Sequence, residues 1–389
     1  MDFNLSKEQT MLRKSAHDFL AKECPKTRVR EIEKSDDGYG RELWEKMGAL
    51  GWMGLIIPEE YGGSGGTFLD LVVLLETMGY HLCPSPFFST VMLGGLPILL
   101  AGDDGQKKSL LPGIADASRI MTLALTEDNA GYEAGSIRVP ARLGNGGYKI
   151  DGVKLFVPYA HVADSLLCAV RTGGNAPPEN GVTLFLMDRD QPGITCSPLK
   201  SLGGDRPCEI VFREVRVTDK DMVGGLNKGW PVVESVLGKA SVALSAEMIG
   251  GAQAVMDMAL QYAKERTQFG HPIGSFQAIQ HYFADMWADI TGSRDLLYRT
   301  AWKMTENFPA GNDIAMTKAR AGKTYRRVTT LGHQIFGAIG FTEEHDMHLY
   351  HKRSVVLDLT FGNAEHHYRK MTDSLFSDLG GGYVERACQ

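Results

Sequence analysis

"GWPVVESVLGKASVALSAEMIGGAQAVMDMALQYAKERTQFG", Gly229 to Gly270, reads as one very long helical stretch. Its period breaks with what precedes it. From about 121 to 225 the apolar residues alternate or run over short lengths, in "GYKIDGVKLFV", "DSLLCAVRT", "GVTLFLMD" and "CEIVFREVRV". Turn clusters such as "GNGG" and "TGGNAPPENG" separate these runs, which is the signature of an antiparallel sheet or small barrel. After the long helix, two more helical stretches follow near 275–306 and 311–338. Before the strands, residues 1 to about 120 read as helices with glycine-rich joints. Trp44, Met47, Leu50 and Met53 fall there at helical spacing and read as core. "PEEYGGSGG", Pro58 to Gly66, is a loop because its glycines cannot hold a helix. Helices, then strands, then helices predict an α+β chain of segregated layers rather than alternating βαβ units. The expected division is an N-terminal helical domain over 1–120, a middle β-barrel or sandwich domain over 121–228, and a C-terminal helical domain over 229–389.

Composition narrows the function classes. The 389 residues suffice for two or three packed units. A hydrophobic share of 43% and a charged share of 23% are ordinary for a soluble protein. The net charge of −6 argues against a nucleic-acid partner, which rewards basic stripes. Six cysteines, Cys24, Cys83, Cys168, Cys196, Cys208 and Cys388, form no CxxC pair. With no secretory start, they suggest a reducing, cytoplasmic setting. "MDFNLSKEQTMLRKSAHDFL" is an amphipathic helix pattern with Ser6 as N-cap and Gln9 closing a capping box. The most apolar run, "STVMLGGLPILLAG", is too short and glycine-broken to span a membrane. No GxGxxG follows a strand and opens a helix, so a Rossmann site is not expected.

Four motifs then stand out in order. They are "PEEYGGSGG", "LALTEDNAG" (Leu123 to Gly131), "ERTQFGHPIGSFQAIQHYFADM" (Glu265 to Met286) and "GHQIFGAIGFTEEHDMHLYHKR" (Gly332 to Arg353). With this layout over the whole chain, the sequence resembles the acyl-CoA dehydrogenases, which implies that the C-terminal domain over 229–389 is a four-helix bundle. The resemblance implies an FAD enzyme, usually tetrameric, acting on acyl-CoA thioesters in a β-oxidation-like catabolism. In that family a carboxylate takes the α-proton, a hydride passes from the β-carbon to flavin N5, and an electron-transfer flavoprotein reoxidises the flavin. The logic is physical: a thioester α-proton is weakly acidic, so base and enolate donors must be placed within reach.

The resemblance assigns cofactor contacts residue by residue. Arg266 is the pyrophosphate candidate, since guanidinium matches phosphate geometry; a cap on its helix C-terminus is the bland alternative. Gln268 and Phe269 belong to the same motif. Gln334, Gly337 and Gly340 resemble the loop passing the adenosine side, and Thr126 the hydroxyl at the isoalloxazine edge. Phe156 stands where a tryptophan is usual and can still stack on a flavin. Other positions depart from the pattern: Pro158 lacks a hydroxyl, Tyr132 replaces a CoA-touching serine, Ala338 replaces a glycine, and Asn363 and Glu365 stand for threonine and glutamine. Tyr159 and His161, near the expected flavin edge, are further acid–base candidates.

The base itself is missing. Ungapped counting puts Phe361-Gly362 where the family has Glu-Gly, and Ala240 at the alternative base position on the long helix. Ser241 also replaces a frequent arginine, and only a gap would bring Asp358 or Glu365 into play. Glu247 lies seven residues beyond Ala240 on nearly the same helix face, about 10 Å along. Its apolar neighbours make a lone carboxylate there costly. It is therefore the candidate catalytic base or grip on a polar acyl terminus; a helix–helix or subunit ion pair is the other reading. Tyr132, Leu244, Phe361 and Gly362 would line the substrate pocket. His345, His348 and His351 recur every three residues; a solvated face or a CoA-phosphate neighbourhood is expected there rather than a metal.

Three functions are compatible. The first is a dehydrogenase for a bulky, cyclic or polar-ended acyl-CoA. The second is a base-less partner in an α2β2 assembly, against a homotetramer in the first. The third is a flavoprotein of the same fold with different chemistry on a CoA thioester.

Overall fold

The computed structural model describes residues 5–144, 146–174 and 177–378; Cys388 lies outside them. Four helices come first: α1 (Lys7–Glu23), α2 (Lys26–Lys34), α3 (Arg41–Ala49) and α4 (Phe68–His81). Ser6 caps α1 in the expected box, its hydroxyl accepting from the Gln9 amide at 3.2 Å while the Gln9 side chain accepts from the Ser6 amide. A π-helical turn, Ser89–Gly95, leads into α5 (Leu96–Ala101) and α6 (Asp104–Ala115). The apolar run is thus broken in two, and no described helix is long and apolar enough to cross a membrane.

Eight strands follow: β1 (Met121–Ala124), β2 (Ala141–Gly144), β3 (Gly147–Pro158), β4 (Ser165–Arg171), β5 (Val182–Asp188), β6 (Ile194–Pro198), β7 (Pro207–Val217) and β8 (Met222–Val223). They form two four-stranded sheets, ordered β1-β4-β5-β8 and β2-β3-β7-β6. Tyr148 of the second sheet meets Phe185 of the first, ring centroids 5.4 Å apart. The expected antiparallel pairing needs one correction: β1 and β4 run parallel. Parallel neighbours need a long crossover, and here β2 and β3 supply it from the other sheet.

The chain closes with α7 (Gly229–Glu265), a short hairpin of β9 (Thr267–Gln268) and β10 (His271–Pro272), then α8 (Gln277–Thr305), α9 (Gly311–Phe336), α10 (Met347–Leu359) and α11 (Ala364–Asp378). Two compact units result. One holds α1, α4 and everything from Ser241 onward; the other holds 27–67 and 84–240, including both large sheets. In the helical unit, α4 and α7 approach backbone to backbone. A Cβ on Gly79 would stand 2.1 Å from the Glu247 carbonyl oxygen, and one on Gly250 1.8 Å from that of Glu76. Only glycine permits that contact.

Candidate functional site

In the sheet-bearing unit, the Leu123–Gly131 stretch leaves β1 as a loop. Its first carboxylate anchors it. Glu127 is buried and accepts the amides of Arg138 at 3.0 Å and Val139 at 3.1 Å. The fully buried Lys154 ammonium donates to Glu127 at 2.7 Å and to the Leu125 carbonyl at 3.0 Å. Thr126 sits between these two anchored residues, and its carbonyl accepts the Leu155 amide at 2.8 Å. Strand β3 is irregular at this point, its register on β7 slipping between Lys154 and Val157. Phe156 occupies the slip with φ +55° and stays 58% exposed. A left-handed non-glycine residue is strained, and the buried ion pair beside it holds the strain. Thr126 and Phe156 are thereby fixed on adjoining backbone with the ring free. Tyr132 is half-buried farther along the loop.

The two acid–base candidates of this unit are otherwise engaged. Tyr159 is buried, its hydroxyl donating to the Gly38 carbonyl at 3.3 Å. His161 bonds through Nε2 to the Asp37 carbonyl at 3.1 Å and through Nδ1 to the Cys208 sulfur at 3.5 Å.

In the helical unit, Arg266 follows the end of α7 and opens the β9–β10 hairpin. Its loop is two residues, Phe269 at φ +53° and Gly270 at φ +83°. Both central residues at positive φ make the tight turn that matches strand twist. The turn thrusts the Phe269 ring out, 91% exposed. The exposed Arg266 side chain has no protein partner among the described residues. The helix-cap alternative for Arg266 therefore finds no contact to support it. A guanidinium without a protein acceptor among the described residues, three residues before an exposed aromatic ring, fits a pyrophosphate joined to flat ring systems. Gln334 is exposed near the end of α9. Gly337 has φ +65°, and a Cβ added there would meet no described atom within 4 Å, whereas Gly340 is buried against Phe336 and His333.

The loop between α10 and α11 carries Phe361, Gly362 and Asn363. Phe361 has φ +57° and Gly362 φ +96°. The buried Lys318 ammonium clamps this turn, donating to the carbonyls of Leu357 at 3.0 Å, Asp358 at 2.9 Å and Gly362 at 3.0 Å. Burial lowers the Lys318 pKa to about 8. Asn363 accepts the His366 amide at 3.1 Å and so caps α11. The His367 ring bonds to the Phe361 carbonyl at 3.1 Å.

Glu247 sits at the α4–α7 contact, with Leu244 buried one turn before it. It is half-buried, and desolvation pushes its pKa up to about 7 against the opposing field of Arg353 on α10. Its carboxylate makes no hydrogen bond or close ion pair among the described residues. Tyr325 of α9 feels the same two charges, and its buried hydroxyl has no partner among the described residues. The Ala240 side chain is fully buried. His345 falls in the turn before α10, its ring 4.3 Å from that of Phe336, so it does not share a helix face with His348 and His351.

Comparison with known proteins decides the family. Models of the acyl-CoA dehydrogenase N-terminal, middle and C-terminal domains match residues 6–118, 122–215 and 227–376. The chain belongs to the acyl-CoA dehydrogenase family. It is 32% identical over 371 residues to a probable acyl-CoA dehydrogenase of Bacillus subtilis, covering 94% of this chain and 97% of the relative. The butyryl-CoA dehydrogenase structure from Megasphaera elsdenii matches with TM-score 0.90 and 29% identity, over 97% of this chain and 100% of that one. A chain of the ChsE4-ChsE5 complex from Mycobacterium tuberculosis matches with TM-score 0.88 and 26% identity, over 96% and 99%. Members of the acyl-CoA dehydrogenase family are FAD-dependent oxidoreductases, and FAD is the cofactor here.

Sequence reasoning missed Glu127, Lys154, Lys318 and Arg353. The only local signal was a lysine at an inward position of a strand, Lys154, and a lysine on the inner face of a helix, Lys318. Neither names its partner.

Proposed function

We propose that this acyl-CoA dehydrogenase introduces an α,β double bond into a bulky, cyclic or polar-ended acyl-CoA. The observation that carries the reading is the Phe361–Gly362 turn. Its left-handed backbone and Lys318 clamp are intact, while an apolar ring occupies the place where the resemblance puts a carboxylate. A larger apolar wall in place of a base is what a reshaped acyl pocket needs, with Leu244 and Gly362 as its other walls; Tyr132 is proposed separately as a contact to the CoA thioester.

Arg266, with Gln268 and Phe269, would hold the FAD pyrophosphate and face its rings. Gln334, Gly337, Gly340 and Asn363 would pass the adenosine side, and Thr126 and Phe156 the isoalloxazine edge. Bound FAD supplies the two-electron acceptor that carbon–carbon desaturation requires. Glu247 is the proposed base. A carboxylate raised to about 7 is half ionised near neutral pH, where general-base action is most effective. Reoxidation would fall to an electron-transfer flavoprotein, in a homotetramer within a reducing, cytoplasmic compartment.

A second reading is a base-less subunit of an α2β2 enzyme. It is supported by the likeness to a chain from a two-protein complex together with the absence of a carboxylate at 361 and 240. One experiment separates the readings. The chain is purified alone, its visible spectrum recorded, and straight, branched, cyclic and dicarboxylic acyl-CoAs added without oxygen. Flavin bleached by one of them, and not bleached in Glu247→Gln with flavin retained, supports the first reading. A colourless chain that turns yellow only with a co-expressed homologue supports the second. Bound flavin that no acyl-CoA reduces, with or without a partner, overturns both.

A further inference from the structure

We propose that Cys196 and Cys208, with His161 as proton acceptor, form a redox-active dithiol that hydrogen peroxide closes to a disulfide. Cys208 opens β7 and Cys196 lies on β6. The register pairs Cys208 with Pro198 and Cys196 with Ile210, so the two cysteines are diagonal neighbours. Side chains two residues apart along a strand share a face, which brings both thiols to the same side of the sheet. Cys208 is fully buried and Cys196 half-buried, so Cys196 forms the solvent side of the pair.

His161 completes the arrangement. Its Nε2 is held by the Asp37 carbonyl at 3.1 Å, which requires a proton on that nitrogen. Nδ1 is then the acceptor that faces the Cys208 sulfur at 3.5 Å. Transfer of the thiol proton leaves a thiolate beside an imidazolium, and the carbonyl steadies the cation. Hydrogen bonding from Cys196, then from His161, holds the Cys208 thiol well below its ordinary value against burial. The Arg189 charge also acts on Cys196.

The reaction balances in two steps. The Cys208 thiolate attacks peroxide, an S–O bond forms, the O–O bond breaks, and hydroxide takes a proton to become water. Cys196 sulfur then attacks Cys208 sulfur, the S–O bond breaks, and a second water leaves. Two thiols are oxidised and one peroxide is reduced. Closing a diagonal pair requires β6 to shift, and β6 is the last strand of its sheet, held among the described residues by ladder bonds to β7 alone. Cys208 also pairs with Val157, the residue after Phe156, so closure pulls on the bulge proposed to face the flavin; that consequence rests on the proposed function, and the thiol chemistry does not.

The test uses the reduced full-length chain, substoichiometric hydrogen peroxide, alkylation and peptide mass. A Cys196–Cys208 linked peptide should appear before Cys24, Cys83 or Cys168 is oxidised. In His161→Gln the linkage should slow about ten-fold at pH 6 and match the wild type at pH 9, where the thiolate forms unaided. A linked peptide that never appears, or appears only after the other cysteines have reacted, overturns the site. An unchanged rate at pH 6 in the variant overturns the role of His161. The wild-type arm needs no variant to fold and no flavin.

Discussion

Glu127 and Glu247 are both carboxylates taken largely out of water, and their surroundings could hardly differ more. Glu127 receives two backbone amides and a buried ammonium. Glu247 receives no hydrogen bond among the described residues and only the field of Arg353. The first is spent on structure: both of its oxygens are engaged by the protein. The second retains an unstable charge, which is the condition for a group that exchanges a proton. Glu76 falls between them, bonded by Arg294 at 2.7 Å and by the Tyr298 hydroxyl at 2.6 Å.

The largest effect should come from Lys154→Met. Removing one member of a buried pair strands the other charge, and about 3–5 kcal/mol of stability should be lost. Denaturant unfolding followed at the sheet-bearing unit measures it, and a loss below about 1 kcal/mol would mean that Glu127 is not held as described.

Glu247→Gln should act in the opposite sense. The folded pKa of about 7 lies above the ordinary 4.5, so the folded state binds the proton more tightly. Stability therefore falls as pH rises from about 4.5 through 7. The variant, which cannot ionise, should match the wild type at pH 4 and exceed it by about 2–3 kcal/mol at pH 8. A variant that is less stable at pH 8 would show that attraction to Arg353 outweighs desolvation, and Glu247 would then belong with Glu127.

Two tyrosines refine the contrast. Tyr298→Phe removes a donor from the Glu76 carboxylate and should lose about 1.5–3 kcal/mol. Tyr325→Phe removes a buried hydroxyl that bonds to nothing among the described residues. Its thermal midpoint should stay level or rise, a change of no more than about 1 kcal/mol. A clear loss in Tyr325→Phe would reveal a bond to the Glu247 neighbourhood that the geometry does not contain.

Much of this was legible in one dimension. The change of period at Gly229 marks where strands give way to helices, because side-chain direction repeats every two residues in one and every 3.6 in the other. Ser6 and Gln9 cap α1 through contacts three residues apart, which a local motif can encode. The Phe269–Gly270 turn is equally local, but the helical period reads through it to Gly270, whereas α7 ends at Glu265 and a hairpin follows. The parallel pairing of β1 with β4 is not local, since nothing in either strand names its neighbour. Nor is the acid–base status of a carboxylate. "ALTED" and "ALSAE" each carry a glutamate close to apolar residues, and no local rule separates them.

By itself, then, the sequence determined the order of elements, the family and the absence of a carboxylate at 361 and 240. The tertiary structure decided which buried charge is satisfied. Glu127 meets Lys154 from 27 residues away, and Glu247 meets only the field of Arg353 from α10. Ionisation depends on the charges and donors that surround a group in space, and the chain brings those together only by folding.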